Sequence, residues 1–116
     1  EGKEIEPDHC YAIVMLFDQG YATMEGSSGD DWISGAQSYR AYMRGGQIGS
    51  VAAAMLRDLG HDARCHSAYK GQVLQIPLVL LAGLGELSRI GELVLNPFVG
   101  PRFKSAVITT DLPLQP

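Results

Sequence analysis

Apolar runs alternate along this chain with polar stretches punctuated by glycine, and the alternation predicts its elements. Tyr11 to Phe17, YAIVMLF, is continuously apolar and rich in strand-favouring residues, which predicts a buried strand. Residues 18–31, DQGYATMEGSSGDD, predict a loop. A loop of that length in a small domain points to function or motion. A helix follows, starting near Asp31 or Ser34, both of which are capping types. Its strongest signal is Ile48, Val51, Ala52, Met55, Leu56 and Leu59, an i, i+3, i+4, i+7, i+8, i+11 set that forms one apolar stripe. Gly60 is a natural stop. Gly45, Gly46 and Gly49 each weaken this helix by about 1 kcal/mol relative to alanine. They mark either a break between two helices or a place where something flat must approach the backbone.

Beyond Gly60, residues 61–66 read as a short strand or extended connection, and 73–76 as extended. Pro77 suits the first turn of a short helix over 77–83. Residues 93–95 and 105–109 read as two strands joined through the Pro97–Pro101 turn. Residues 1–9 are polar and predict a disordered or extended lead. The order of elements predicts an α+β domain over 10–116, a mixed sheet flanked by helices.

Composition narrows the function classes. The 116 residues are 46% hydrophobic and 19% charged, which suits one soluble globular domain. A net charge of −4 with scattered basic residues argues against nucleic acid as a partner. The longest apolar run, Val73 to Leu84, is interrupted by Gln75, Pro77 and Gly83 and falls short of the roughly 20 residues a bilayer span needs. No signal peptide is visible, and the chain starts at Glu1 rather than Met, as a processed or trimmed form would. The compartment, cytoplasmic or exported, is not written in this stretch. Cys10 and Cys65 are expected to be free thiols. Without CxxC or a His/Cys cluster, no metal-ligand set is expected, and two cysteines cannot hold an iron–sulfur cluster.

The candidate chemistry is diffuse. His61 and His66 do not form a site by spacing and read as structural or surface residues. Gly83-Leu84-Gly85 is not a dinucleotide fingerprint, because Ser88 stands where the third glycine should be. Yet the glycines of 83–100 would let backbone N–H groups approach a ligand closely. Tyr42, Lys70, Arg89, Arg102 and Lys104 are the candidate polar groups around them. A tyrosine beside a cation would be a usable proton donor, since the cation stabilises its phenolate.

The string AGLGELSRIGELVLNPFVGPRFK, followed by AVITTDLPLQP, resembles the reductive dehalogenase family. Upstream, Tyr42-Met43-Arg44 and Leu56-Arg57-Asp58-Leu59-Gly60 resemble that family's tyrosine-bearing helix. The resemblance covers roughly residues 10–116 and is most specific over 82–116. It implies a nitroreductase-like, cobalamin-binding domain that removes halogen from organohalides, with Co(I) cobalamin as reductant. It also implies electrons from two 4Fe-4S clusters on a ferredoxin-like segment beyond Pro116, so the chain reads as a corrinoid-binding domain truncated before that segment.

By position, Tyr42 falls on the family's proton donor, Lys70 near its supporting polar residue, and Lys104 on an arginine of the family pattern. The lysine keeps the charge and loses the planar fork. Gly83, Gly85, Arg89, Gly91, Asn96, Pro97, Gly100 and Arg102 would hold the corrinoid and its tail. The same residues leave room for a non-catalytic corrinoid-binding or trafficking module, for an epoxyqueuosine reductase-like domain, or for a domain that binds nothing alone. A homodimer through a surface exposed on the isolated domain is a further expectation.

Overall fold

The computed structural model describes residues 9–68, 71–91 and 93–115. The elements are β1 (Tyr11–Asp18), α1 (Tyr21–Glu25), α2 (Ile33–Asp58), β2 (Ala63–His66), α3 (Gln75–Leu81), β3 (Glu86–Leu87), β4 (Val94–Leu95) and β5 (Phe103–Thr110). The fold is mixed α and β, with a central three-stranded sheet in the order β1-β5-β2 and a small β3-β4 ribbon. Both ladders of the central sheet are antiparallel, so the expected mixture of strand directions is replaced by a single alternating one.

β5 lies in the centre and is the most buried strand of the sheet. Ala106, Val107 and Ile108 are at most 1% exposed. Burying a Val or Ile side chain contributes about 1.5–3 kcal/mol, so this strand anchors the fold. The β1 register runs from Tyr11↔Thr110 to Phe17↔Lys104, placing Ile13, Met15, Phe17, Ala106 and Ile108 on one face. Helix α2 covers that face through two apolar clusters, Phe17–Ala41–Ala106 and Ala53–Ala63–Ile108.

The face α2 uses differs from the one its periodicity predicts. Its buried residues are Ala41, Gly45, Gly49 and Ala53, all small. From the predicted stripe, Ile48, Val51, Met55 and Leu59 are 47 to 71% exposed, and Ala52 and Leu56 only partly covered. The helix runs unbroken through its glycines, and the flat object that approaches them is the sheet. A Cβ on Gly45 would lie 3.2 Å from Ala106 and the Phe17 ring, and one on Gly49 would lie 2.5 Å from Cys65 Sγ. Close approach selected small residues for the contact and left the large apolar ones on the flank.

Three further differences are local. The predicted loop 18–31 contains the short helix α1. Asp31 organises what remains of it: its carboxylate accepts from the backbone N–H of Ser28 (2.8 Å) and Ile33 (2.9 Å) and from the hydroxyls of Ser27 and Ser28. These bonds hold the Asp31 carboxyl below its usual range. The strands either side of the Pro97–Pro101 turn do not pair with each other. β4 pairs with β3, a strand the pattern did not predict, and β5 enters the main sheet. The helix predicted at 77–83 starts at Gln75, with Pro77 in its first turn. Most of the 1–9 lead lies outside the described residues, but its last residue, His9, is tied to Thr109 at 2.7 Å. Cys10 and Cys65 are both free.

Candidate functional site

β2 is only four residues long and its pairing with β5 ends at His66↔Val107. On that side of the sheet, among the described residues, nothing continues the ladder opposite residues 103–106. A cleft of about 400 Å³ opens there, and because it sits at a strand edge it is lined by side chains from both faces of β5. Lys104 enters from the α2 face, Phe103 and Ser105 from the other. Tyr42 of α2, Gln75, Ile76 and Val79 of α3, and Leu93, Val94 and Pro101 around β4 complete the wall. A shallow groove of about 460 Å³ lies on the other side of Tyr42, lined by Met43, Gly46, Gln47, Ser50 and Ser67. Tyr42 stands between the two.

Within the cleft, Lys104 Nζ lies 5.2 Å from the centre of the Tyr42 ring. A cation at that distance over a ring face is attracted to it, by about 0.5–1 kcal/mol where solvent has access. Behind this pair, Ser105 Oγ donates to Gln75 Oε1 at 2.6 Å, and Gln75 Nε2 donates to the His66 carbonyl at 3.3 Å. The site thus has a phenol–ammonium pair at one end, a fixed hydroxyl–amide pair in the middle, and an apolar wall.

Of the residues expected to act chemically, Tyr42 and Lys104 meet in the cleft, and Lys70 lies outside the described residues. The expected cofactor-contacting residues lie on the β3-β4 ribbon and its turns, and none of them lines the cleft. Gly83, Gly91 and Gly100 take positive φ at turns, of +67°, +76° and +59°, and a Cβ there would meet nothing within 4 Å. Gly85 is different: a Cβ would lie 2.6 Å from the Leu95 carbonyl oxygen, so this glycine lets the chain close against β4. Asn96 builds the turn that begins with Pro97. Its Nδ2 donates to the Leu84 carbonyl at 2.7 Å, and its Oδ1 accepts from the N–H groups of Phe98 and Val99. Arg102 pairs with Asp18 at 3.2 Å and sits 5.0 Å over the Tyr21 ring, while Arg89 is exposed. Ser88, in the same ribbon, has its Oγ buried without a hydrogen-bond partner among the described residues. Gln75, Ser105 and the apolar wall were missed at the sequence level; the one polar interruption early in the 73–84 apolar run, Gln75, was their available signal.

Among the described residues there is no group of three or more His, Cys, Asp or Glu side chains able to hold a metal ion. No helix among them is long and apolar enough to cross a membrane.

Comparison with known proteins gives a consistent result. The chain is 34% identical over 104 residues to the tetrachloroethene reductive dehalogenase of Dehalobacter restrictus, and 33% identical over 104 residues to that of Desulfitobacterium hafniense. Each match takes in 90% of this chain. Among solved structures, the catabolic reductive dehalogenase NpRdhA superposes with a TM-score of 0.94 at 62% identity over 99% of this chain. The chain is homologous to one region of the reductive dehalogenases. It spans 18% of the length of those curated relatives and 16% of the NpRdhA chain. One structure of this group was described as suggesting a mechanism for B12-dependent dehalogenation, and another holds 3-bromo-4-hydroxybenzoic acid. No family model matches the chain.

Proposed function

We propose that this chain forms one wall of a cobalamin-dependent reductive dehalogenation site, in which Tyr42 delivers the proton that replaces a halogen on carbon. The observation that carries the reading is the Tyr42–Lys104 pair, placed in an open cleft of a chain homologous to reductive dehalogenases. The net reaction, R–X + 2e⁻ + H⁺ → R–H + X⁻, needs an electron source and an acid. Cobalamin supplies the reducing chemistry when bound. Tyr42 holds the proton at its phenol oxygen, and Lys104 stabilises the charge left there. Lys70 is proposed to support the same transfer. Ser105 and Gln75 fix one wall, and Ile76, Val79 and Phe103 exclude water from it.

The residues fit a corrinoid as a partial wall. A cleft of about 400 Å³ lies at the small end of the range for ligand sites, roughly 300–1,000 Å³, so it takes one part of a large macrocycle together with a substrate. The buried Ser88 hydroxyl offers a hydrogen bond to a peripheral amide from the ribbon. The contribution of Gly83, Gly85, Arg89, Gly91, Asn96, Pro97, Gly100 and Arg102 is then mainly through backbone, because the Asn96 and Arg102 side chains already have partners. We assign residues 10–116 to a nitroreductase-like corrinoid-binding domain. Its electrons would come from two 4Fe-4S clusters on a ferredoxin-like segment or protein. The substrate would be an organohalide.

The test is Tyr42→Phe in a full-length reductive dehalogenase carrying this segment. Loss of an acid from its position costs about 10²–10⁴-fold in rate, so turnover should fall by at least 100-fold while cobalamin stays bound. Unchanged turnover would remove Tyr42 from the mechanism. Cobalamin binding by the chain with no dehalogenation in any full-length context would favour a trafficking module.

A further inference from the structure

A hydrogen-bonded chain runs through the sheet away from Tyr42. Asp62 Oδ2 lies 3.0 Å from His9 Nε2. His9 Nδ1 lies 2.7 Å from Thr109 Oγ1, and the same oxygen lies 2.9 Å from His66 Nε2. His66 Nδ1 in turn accepts the Gln72 backbone N–H at 3.2 Å. His66 is 2% exposed.

This chain has one polarity. The Gln72 N–H can only donate, so His66 Nδ1 must be bare and its proton must sit on Nε2. That Nε2–H donates to Thr109 Oγ1. The hydroxyl has a single proton, which goes to the remaining neighbour, His9 Nδ1. His9 then carries its own proton on Nε2 and donates it to the Asp62 carboxylate. Every bond is satisfied in this arrangement. A proton added to His66 Nδ1 would set two donors face to face and release Gln72.

Gln72 is gripped a second time, by Arg64, whose Nη1 donates to Gln72 Oε1 at 2.5 Å. Three residues on, Gln75 bonds the His66 carbonyl and accepts from Ser105 on the cleft wall. The segment that leaves β2 and returns as α3 is therefore held at Gln72 and at Gln75, both times by His66. Among the described residues around His66, the charged and titratable groups are Arg64 on its own strand and His9 and Asp62 on the lead and the turn. β5 and α3 present Thr109 and Gln75, which do not titrate. Burial, and then the charge of Arg64, push the His66 imidazole below its ordinary range, in keeping with a neutral ring.

We propose that His66 is a positioning residue for the cleft: neutral, with its proton on Nε2, it fixes the 72–75 segment so that Gln75 and Ser105 stand where they line the site. The inference deepens the proposed function, since it concerns the same cleft.

The experiment is ¹⁵N NMR of the histidine rings and amide exchange at Gln72, in the 116-residue chain, without cobalamin. His66 should show the Nε2–H tautomer and titrate below a free imidazole. Gln72 exchange should rise at least tenfold in Thr109→Val and in His66→Phe, and in the unaltered chain its protection, taken relative to the intrinsic exchange rate at each pH, should fall as pH drops through the His66 titration. A His66 proton on Nδ1, a His66 that titrates no lower than a free imidazole, or a Gln72 amide indifferent to both substitutions would overturn the inference. The unaltered chain gives the tautomer even if a variant fails to fold. Cobalamin binding is not among these readouts, so the failure of this inference and the failure of the proposed function are separate results.

Discussion

Replacing glycines of α2 one at a time should separate the helix's own preference from its contact with the sheet. Glycine in a helix interior is less favourable than alanine by about 1 kcal/mol. At Gly35 nothing lies within 4 Å of the added Cβ, and at Gly46 the nearest atoms are those of Ser67 at 3.7 Å, an ordinary contact. Gly35→Ala and Gly46→Ala should each stabilise the chain by about 0.5–1 kcal/mol. At Gly49 the new Cβ would sit 2.5 Å from Cys65 Sγ, about 1 Å inside the 3.5–4.0 Å optimum for heavy atoms. Overpacking of that kind costs about 1–3 kcal/mol. Gly49→Ala should therefore lose its helix gain and end between neutral and about 2 kcal/mol destabilised.

The assay is urea unfolding, supported by melting temperatures, where 1 kcal/mol moves a domain of about 100 residues by roughly 4–8 °C. The decisive control is Cys65→Ala. It removes the sulfur and leaves a Cβ at 3.8 Å, so Gly49→Ala in that background should recover its gain of about 1 kcal/mol. If Gly49→Ala is as stabilising as Gly46→Ala, or if removing the sulfur rescues nothing, then α2 does not lie against the sheet as closely as this argument requires.

Stability should depend on pH through His66. Its folded pKa is depressed by burial, so the unfolded chain binds more protons and stability rises with pH. The His66 contribution is complete above the unfolded value of 6.5 and is lost as pH falls below it towards the folded value; thermal melts from pH 8 to 5 read this, and a His66→Phe chain with an unchanged slope would contradict it. Asp31 acts further down, since its depressed carboxyl contributes above 3.8 and that contribution fades as pH drops through the folded value. Val51→Lys with Met55→Lys, at positions 71% and 62% exposed, should cut self-association of the isolated chain with less than about 0.5 kcal/mol change in stability, as sedimentation and urea titration would show. Cys10, exposed, should react with a thiol reagent well before Cys65, whose thiol burial pushes up; equal rates would mean that β2 opens readily.

The strands were legible where hydrophobicity alone decides. Tyr11–Phe17 and Ser105–Thr109 announce β1 and β5 because a strand packed on both faces needs a run of apolar residues. The two ends of α2 were legible too, but not whether it runs unbroken through its glycines, nor its buried side. Periodicity weights large side chains, whereas this interface is built from Ala41, Gly45, Gly49 and Ala53, whose value lies in what they omit. The β3-β4 ribbon was illegible because two-residue strands carry no period. At the site, Tyr42 and Lys104 were named through a family pattern, and nothing in their spacing of 62 positions could have brought them together. Gln75 and Ser105 went unnoticed because each is an ordinary polar residue until the pairing of β5 shows which one faces a gap.

The packing of α2 and the chemistry proposed for the cleft are one problem rather than two. Tyr42 follows the fully buried Ala41 and precedes Gly45 by less than a turn, so its height above the sheet is set by how closely those two residues approach Phe17 and Ala106. Lys104 is tied to the same strands, being the register partner of Phe17. A helix seated on larger side chains would stand further off, and the ring would leave the reach of a lysine whose backbone is fixed in the ladder. The shortness of β2 supplies the other half of the arrangement. A fifth and sixth residue paired with β5 would occupy the edge beside Ala106 and Ser105, where the cleft now opens. The small residues of α2 set the distance between the phenol and the ammonium, and the early end of β2 makes the space into which they point.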